Sequence, residues 1–186
     1  MEEIILATNN QGKVKEIQMI LKEYKIISLK EANIDIEIDE DQDTFEGNAL
    51  KKATEICKLT NKICIADDSG LCIDSLNGFP GVKTARFLGE NATQEERNTY
   101  ILEKMKDISN RRAEVVTCIA VVKLNGEKNV YKGILEGNIS RERRGDNGFG
   151  FDEIFEIDDG RTLAELNKEE KNKISSRKRA LEQIKI

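Results

Sequence analysis

The sequence contains no histidine, and this absence removes a large group of catalytic schemes. Without an imidazole there is no Ser–His or Cys–His nucleophile pair and no zinc site with histidine ligands. Any general base must therefore be a carboxylate, a lysine or a hydroxide held on a metal ion.

Cysteine is scarce, and its spacing is not that of a metal site. Cys57, Cys64, Cys72 and Cys118 form no C-x-x-C pair, and Cys64 lies inside an apolar run. Free cysteine is among the residue types most often buried in protein cores. We therefore expect buried free thiols rather than disulfides or zinc ligands.

Membrane segments and an excess of basic residues are also missing. No apolar run approaches the roughly 20 residues of a membrane span, and the start, Met1–Ile4, lacks the basic region of a signal peptide. The net charge of −5 argues against a general nucleic-acid coat, because phosphate contacts dominate such affinity. We expect a soluble cytoplasmic protein with neither a membrane nor a nucleic acid as partner. Phosphates would be bound by local Lys and Arg clusters or through a metal.

The length of 186 residues predicts a single domain over residues 1–186, large enough to bury roughly 70% of its unfolded surface. Helical and strand patterns alternate in the first half, whereas two long β-rich runs joined at Asn125–Gly126 dominate the second. This order favours an α/β or α+β fold with a mixed, strongly twisted sheet. The predicted strands cover residues 3–7, 25–29, 63–66, 114–124, 129–140 and 154–157, with a short strand in the acidic stretch 33–43 and a further short strand at 71–73. The predicted helices start at Val14, at Asp43 or Thr44, at Thr93 and at Lys168. Asp43 with Glu46 and Thr93 with Glu96 have the spacing of a capping box.

An apolar run, Ile63–Ala66, ends abruptly in Asp67-Asp68-Ser69-Gly70. The first half is typical of a buried strand and the second of a tight turn. Paired carboxylates at the end of a strand can hold a hard divalent cation. The same four residues are equally typical of a plain polar turn.

Two further stretches concern phosphates and metals. Residues Thr8–Lys13 form a polar loop between a strand and a helix, where backbone N–H groups converge as a phosphate cradle. An ordinary turn with an exposed lysine is the alternative. The acidic stretch 33–43, especially Asp39 and Glu40, could add carboxylates to a magnesium site or be only a solvated loop.

The remaining candidates lie towards the carboxyl end. Gly145–Asp152 combines glycines, which allow close backbone approach, with aromatic rings that can face a base, and Asp152 could accept hydrogen bonds from a base edge. The alternative is a structural role, because phenylalanines flanked by glycines also fill the hydrophobic core at the end of a strand. Lys171 and Ser175 are four residues apart on a predicted helix, so they lie on one face. That face is either functional or simply exposed to solvent.

Taken together and in this order, these stretches resemble the inosine/xanthosine triphosphate pyrophosphatase family. The resemblance runs nearly end to end, and six ordered motifs are far more specific than any one of them. The matching stretches are Ala7–Lys13 with Glu16, Thr44–Phe45 through Asn48–Ala49 and Lys52–Ala53, Ala66–Leu71, Gly78 through Pro80–Gly81 with Ala85–Arg86, Arg144–Gly145 with Gly148–Asp152, and Ala164–Glu165 with Glu170–Asn172 and Ile174–Ser175.

The resemblance implies a Mg²⁺-dependent enzyme that hydrolyses deaminated purine nucleoside triphosphates (ITP, dITP, XTP) to the monophosphate and pyrophosphate. It also implies an elongated, two-lobed fold with a mixed sheet flanked by helices, a central cleft and a homodimer. Asp68 would be the proton acceptor and a magnesium ligand, with Glu40 or Asp39. The implied substrate contacts are Thr8, Asn9, Asn10, Gln11, Gly12, Lys13 and Lys52 at the triphosphate, Ser69, and Phe149, Gly150, Phe151, Asp152, Lys171, Ser176 and Arg177 at the base.

The chain departs from the family pattern at three positions. Family members usually carry Ser-His-Arg where this chain has Ser175-Ser176-Arg177, and that histidine belongs to base recognition. Gly47 stands where an acidic residue is common, and Glu153 where proline is common. Two alternatives therefore stay open: a nucleotide pyrophosphatase with another base preference, and a nucleotide-binding regulator without turnover.

Overall fold

The computed structural model describes residues 3–184 and 186. Met1 and Glu2, which contribute to the argument against a signal peptide, lie outside the described residues. The strands are β1 (Glu3–Leu6), β2 (Lys25–Ser28), β3 (Cys64–Ile73), β4 (Arg112–Val122), β5 (Lys128–Ile139) and β6 (Phe155–Glu156). The helices are α1 (Gln11–Ile20), α2 (Phe45–Thr60), α3 (Gln94–Met105), α4 (Lys168–Ile174) and α5 (Ser176–Leu181), with short 3₁₀ turns at Asp74–Leu76, Gly81–Lys83 and Leu163–Glu165.

The strands form one sheet in the order β2-β1-β3-β4-β5-β6. Strand β1 runs parallel to both β2 and β3, whereas β5 and β6 are antiparallel. The predicted mixed α/β sheet is therefore confirmed. Among the described residues, no helix is both long enough and apolar enough to cross a bilayer.

The chain divides into two compact units. Unit 1 comprises residues 1–69, 117–133 and 176–186, and unit 2 comprises 70–116 and 134–175. Strands β3, β4 and β5 each contribute residues to both units. The prediction of a single domain, and of two lobes around a cleft, stays a prediction.

Unit 1 buries both faces of its strands, as the two-residue period of a strand requires. Ile4 and Leu6 of β1 pack with Val14 and Ile17 of α1 and with Leu181 of α5. The alternate residues Ile5 and Ala7 pack with the α2 stripe on the other face, formed by Ala49, Ala53 and Ile56. Helices α1 and α5 thus cover one face of the sheet, and α2 covers the other.

Unit 2 has its own core around α3. Ile101 and Met105 of this helix pack with Leu71, Ile139 and Phe155. The predicted capping box is confirmed, because Glu96 N donates to Thr93 Oγ1 at 3.1 Å and Thr93 N donates to Glu96 Oε2 at 2.6 Å. The predicted turn at Asn125–Gly126 is also confirmed: Gly126 has φ +87° and its N–H donates to the carbonyl of Lys123.

The prediction of a turn at Asp67–Gly70 is wrong. These residues lie in the middle of β3, which continues through Leu71–Ile73 rather than starting a separate strand there. Turn-forming composition is a local preference, whereas β3 is a strand within the sheet, next to β4 and paired with β1 at Cys64 and Ile65. Tertiary pairing overrides the local preference here.

Three other predictions of local structure are corrected. Helix α2 is capped by Thr44, whose Oγ1 accepts from Gly47 N at 3.0 Å, and not by an Asp43–Glu46 box. The expected helix over 168–184 breaks at Ser175, where ψ is 147°, although Ser175 N still donates to the Lys171 carbonyl at 2.9 Å, one helical turn away. The acidic stretch 33–43 contains no strand among its described residues.

Candidate functional site

The centre of unit 1 is the pair Asp67 and Asp68 on β3. Their side chains point to opposite faces because successive residues of a strand alternate. Asp67 meets side chains of α1 and α5, whereas Asp68 meets α2. Both carboxylates are buried, with exposures of 0% and 4%.

Asp67 lies within a cluster of cations. Its Oδ2 accepts from Arg177 Nε at 3.2 Å and Nη2 at 3.1 Å, and Lys13 Nζ lies 3.2 Å from the same oxygen. Arg177 Nη1 in turn donates to Glu16 Oε2. Although burial opposes ionisation, the charges of Lys13, Arg177 and Lys52 hold the pKa of Asp67 below its usual range. Asp67 is therefore a permanent anion.

Asp68 has the opposite electrostatic character. Its Oδ2 accepts from Asn48 Nδ2 at 3.0 Å. Burial raises the pKa of Asp68 to about 6, with Lys52 opposing and the Glu40 charge assisting the shift. A carboxylate that is ionised at neutral pH but retains appreciable proton affinity is suited to general base catalysis.

Lys52 of α2 connects the two carboxylates with the acidic stretch. Its Nζ donates to Glu40 Oε1 at 2.5 Å and to the backbone carbonyl of Asp67 at 2.7 Å. Although burial disfavours its charge, Asp67, Glu40 and Asp68 raise the pKa of Lys52, so it remains a cation. Asp39, by contrast, is exposed, and its carbonyl accepts from Lys51 Nζ at 3.0 Å. Glu40 is thus the residue of the acidic stretch that is coupled to Asp68.

The loop Thr8–Lys13 has the predicted strand–loop–helix position, but α1 begins at Gln11 rather than at Val14. Asn10 caps the helix: its Oδ1 accepts from Gly12 N at 3.0 Å and Lys13 N at 3.2 Å. Asn10 N donates to Thr8 Oγ1 at 3.2 Å. Because these amides have internal partners, phosphate binding by this loop depends on its side chains or on displacement of the Asn10 cap.

Unit 2 holds the glycine and aromatic motif. Asp152 Oδ2 accepts from Lys171 Nζ at 2.6 Å and from Phe149 N at 3.0 Å, and Lys171 Nζ lies 4.3 Å from the centre of the Phe149 ring. At Gly148, φ is +76° and a Cβ would lie 2.0 Å from Asp152 Oδ2, so only glycine fits. Phe151 stacks on Phe87 at 6.2 Å and belongs to the core.

The structure separates the residues that the resemblance places at the base. Phe149, Gly150, Phe151, Asp152 and Lys171 belong to unit 2, whereas Ser176 and Arg177 belong to unit 1. Ser176 is buried, with its Oγ 2.8 Å from Thr117 Oγ1. Arg177 is buried against Asp67 and Glu16, so in unit 1 it lies beside the carboxylates of β3.

Two residues with direct contacts at this site, Glu16 and Asn48, are missing from the predicted site. Asp67, which the sequence offers as one of a metal-binding pair of carboxylates, is instead paired with Lys13 and Arg177. The sequence pattern predicts that Glu16 lies outside the buried face of α1, but it is 5% exposed. The burial of a charged residue can be predicted only when its partner is known. The partner of Glu16, Arg177, is 161 residues away along the chain. Asn48 gives a usable signal, since it lies one turn before Lys52 on α2.

The carboxylates of Glu40 and Asp68 fit a site for a divalent metal ion in which phosphate oxygens supply further ligands. Within residues 3–184 and 186, no group of three or more His, Cys, Asp or Glu side chains could hold a metal ion by itself. Magnesium, however, commonly takes only one or two protein carboxylates and completes its shell with phosphate oxygens and water. Glu40 and Asp68 are two carboxylates whose mutual repulsion contributes to the raised pKa of Asp68. A cation would relieve that repulsion.

The family model described as the Ham1 family matches residues 4–186 of the chain. The chain belongs to the Ham1 family. The resemblance found in its motifs is thereby confirmed.

Two bacterial relatives of this Ham1 chain carry the name dITP/XTP pyrophosphatase. The Staphylococcus aureus (strain MRSA252) protein is 41% identical over 182 residues, covering 97% of this chain and 93% of the relative. The Clostridium tetani (strain Massachusetts / E88) protein is 44% identical over 193 residues, covering 100% and 95%.

Solved Ham1 structures share the fold. The S. aureus Ham1 protein is 40% identical with a TM-score of 0.87, over 97% of this chain and 95% of that one. A HAM1 protein from Coxiella burnetii is 43% identical with a TM-score of 0.89, over 98% and 96%. The mixed sheet of this Ham1 chain is therefore that of its family.

Proposed function

We propose that this Ham1 chain hydrolyses deaminated purine nucleoside triphosphates, dITP, ITP and XTP, to the monophosphate and pyrophosphate. The names of the full-length relatives support this activity. The observation that carries the proposal is the state of Asp68, a buried carboxylate with a pKa of about 6 beside Lys52. A regulator without turnover would not need such a base.

The triphosphate is bound by positive charge in unit 1. Lys52 and Lys13 lie on either side of Asp67, and their charges stabilise the phosphate oxygens as negative charge develops on the leaving pyrophosphate. Side chains of the loop Thr8, Asn9, Asn10, Gln11 and Gly12 complete the contacts, and Ser69 touches the substrate.

Glu40 and Asp68 would hold Mg²⁺, rather than Asp39 and Asp68, because Glu40 is the one that is electrostatically coupled to Asp68. When bound, Mg²⁺ neutralises phosphate charge that would otherwise repel a nucleophile and the carboxylate base. The ion pair with Lys52 orients Glu40 and holds its carboxylate near Asp68.

Asp68 is the proton acceptor. It takes a proton from the attacking water as the water oxygen bonds to the α-phosphorus, and the bond between the α-phosphorus and the bridging oxygen breaks. Pyrophosphate leaves with that oxygen, and the proton on Asp68 is returned to solvent. At neutral pH the Asp68 carboxylate is ionised and ready to accept, and a cation bound beside it would favour the ionised form further.

The base is held by residues of unit 2. Arg177, which the resemblance also places at the base, is instead buried against Asp67 and Glu16 in unit 1. The Phe149 ring offers a flat face, and the Asp152–Lys171 pair offers an acceptor and a donor for a base edge. Gly150 and Phe151 shape this turn. A second candidate, a different base preference, is favoured by Ser176, which replaces the family histidine and whose hydroxyl is already paired with Thr117.

Three further properties belong to the proposal: a single domain over residues 1–186, a homodimer, and a cytoplasmic location. The full-length match to relatives supports the first. Analytical sedimentation of the purified protein tests the dimer, for which a mass near twice 21.0 kDa is expected.

The products of ITP hydrolysis test the reaction. Phosphorus NMR of ITP incubated with the protein and Mg²⁺ is expected to show IMP and pyrophosphate, whereas Asp68→Asn is expected to leave ITP intact. Formation of IDP and phosphate, or no turnover by the wild-type protein, would overturn the proposed function.

A further inference from the structure

Asp67 is the point where the two phosphate-binding lysines meet. Lys13 Nζ approaches its Oδ2 at 3.2 Å, and Lys52 Nζ donates to its backbone carbonyl at 2.7 Å. These lysines come from different helices, α1 and α2, on opposite faces of the sheet. One residue of β3 therefore fixes the positions of both cations.

The far side of Asp67 is clamped by Arg177. Both Nε and Nη2 donate to Oδ2, and Glu16 holds the opposite end of the guanidinium. Asp67 Oδ1 is buried with no hydrogen-bond partner among the described residues, so the cationic contacts concentrate on Oδ2. Arg177 thereby fixes the orientation of the Asp67 carboxylate.

Within this cluster Lys13 is the member most exposed to solvent. Its side chain is 16% exposed, against 7% for Arg177 and 0% for Asp67. A lysine side chain is flexible and loses considerable conformational freedom when it is ordered. A lysine that is already ordered by a buried anion needs less reorganisation when phosphate arrives.

We infer that Asp67 is a positioning residue that orders Lys13 for the triphosphate, with Arg177 and Glu16 as its support. This inference rests on the proposed function, because that proposal assigns Lys13 to phosphate. Asp67 itself touches neither the phosphates nor the attacking water. Its contribution to turnover passes through the lysine, whereas Asp68 acts directly on the reaction.

A double-mutant cycle separates this role from a purely structural one. Asp67→Asn keeps the backbone carbonyl that holds Lys52 but removes the charge that holds Lys13. We expect it to lower kcat/KM for ITP at least 30-fold in the wild-type background, mainly through KM. In a Lys13→Met background the same substitution is expected to cost less than threefold, because the group it positions is already gone. Equal losses in both backgrounds would overturn the inference.

Asp41→Asn is the matched control. It removes an aspartate that pairs with Lys51 at 2.9 Å, one position before Lys52 on α2, but at an exposed site. Its kcat/KM is expected to remain within twofold of the wild type. A loss like that of Asp67→Asn would show that any lysine–aspartate pair in this region matters, and would contradict the specific role of Asp67.

Binding of inorganic tripolyphosphate, measured by calorimetry, keeps this test independent of turnover. If ITP is not hydrolysed, the proposed function fails, yet the cycle can still be measured as a change in tripolyphosphate affinity. If Asp67→Asn does not fold, Glu16→Gln serves instead, because glutamine still offers Arg177 an acceptor. With Glu16 neutral, Arg177 draws Asp67 away from Lys13, so tripolyphosphate affinity should fall at least threefold, but not in the Lys13→Met background. Unchanged affinity would contradict the inference.

Discussion

Two adjacent aspartates of one strand have opposite properties in this protein. Strand alternation places Asp67 among Lys13 and Arg177, and Asp68 beside Asn48 and the Glu40 charge. The pKa of Asp67 is therefore lowered while burial raises that of Asp68 to about 6. The same residue type serves once as a fixed anion and once as a base.

Replacing the base should separate binding from turnover. Asp68→Asn keeps the size of the side chain but removes its proton affinity, so kcat for ITP should fall by roughly 10²–10⁴-fold, the usual contribution of a general base. Calorimetry with inorganic tripolyphosphate should show affinity within about a factor of ten of the wild type. Near-normal turnover by a folded Asp68→Asn variant would contradict the assignment of the base.

The same substitution should stabilise the metal-free protein. The folded-state pKa of Asp68 is raised from 3.8 to about 6, so the ionised carboxylate disfavours the folded state above pH 6. Since one pKa unit corresponds to about 1.4 kcal/mol, Asp68→Asn should gain about 1–3 kcal/mol at pH 8.

This gain should shrink as the pH falls from about 6 to 4, where the wild-type carboxyl becomes protonated in the folded state. Urea unfolding with a chelator at pH 8, 6 and 4 measures it. A gain that is constant with pH, or a loss at pH 8, would contradict the electrostatic account of Asp68.

At the residue scale, the sequence could identify the pair Asp67–Asp68 but not the contrast between the two. That contrast depends on partners such as Arg177, which is 110 residues away along the chain. Choosing Glu40 over Asp39 likewise requires knowing which of the two lies near Asp68 and Lys52. Sequence spacing cannot supply either fact, because both arise from tertiary packing.

At the scale of elements, α5 depends on a glycine of β5. A Cβ at Gly133 would lie 2.0 Å from the Ser176 carbonyl oxygen and 2.6 Å from Ala180 N. These are backbone atoms, which cannot move aside as a flexible side chain would. The close approach of α5 to β5 places Ser176 near Thr117 and Arg177 near Asp67.

Gly133→Ala should therefore damage both stability and the site. Overpacking against the backbone of α5 should cost about 1–3 kcal/mol in urea unfolding, and the displaced Arg177 should raise KM for ITP. Val130→Ala, at a partly exposed position of the same strand, is the control and should change stability by less than about 1 kcal/mol. Equal effects of the two substitutions would refute the account of Gly133.

Elements with strong local signals were predictable, and those decided by pairing were not. The α3 capping box at Thr93 and the turn at Gly126 follow from short-range chemistry, and both are confirmed. Residues Asp67–Gly70 have turn-forming composition but continue β3, a ten-residue strand that lies between β1 and β4 in the sheet order. The break at Ser175 also has no sequence signal, since neither glycine nor proline marks it.

At the scale of the whole molecule, both units are held by apolar packing without disulfides in the described residues. None of the four cysteines forms a disulfide in the described residues, and Cys57, Cys64 and Cys118 are buried. Burial raises the pKa of Cys64 above its usual range and that of Cys118 to about 12, so neither forms a thiolate readily.

The reactivity of the cysteine thiols tests whether these cores are closed to solvent. Ellman's reagent at pH 8 should modify at most one thiol per native chain, the partly exposed Cys72, and all four after denaturation. Rapid modification of two or more thiols in the native protein would show that the cores are open. Fewer than four after denaturation without reductant would indicate a disulfide.

The central claim concerns which nucleotides this Ham1 chain consumes. Pyrophosphate release measured with Mg²⁺ across ITP, XTP, ATP, GTP and the pyrimidine triphosphates tests it most directly. We expect kcat/KM for ITP and XTP to exceed that for ATP, GTP and the pyrimidine nucleotides at least 10-fold. Equal or greater activity on ATP, GTP or a pyrimidine triphosphate would contradict the proposed selectivity, and nucleotide binding without pyrophosphate release would contradict the enzyme itself.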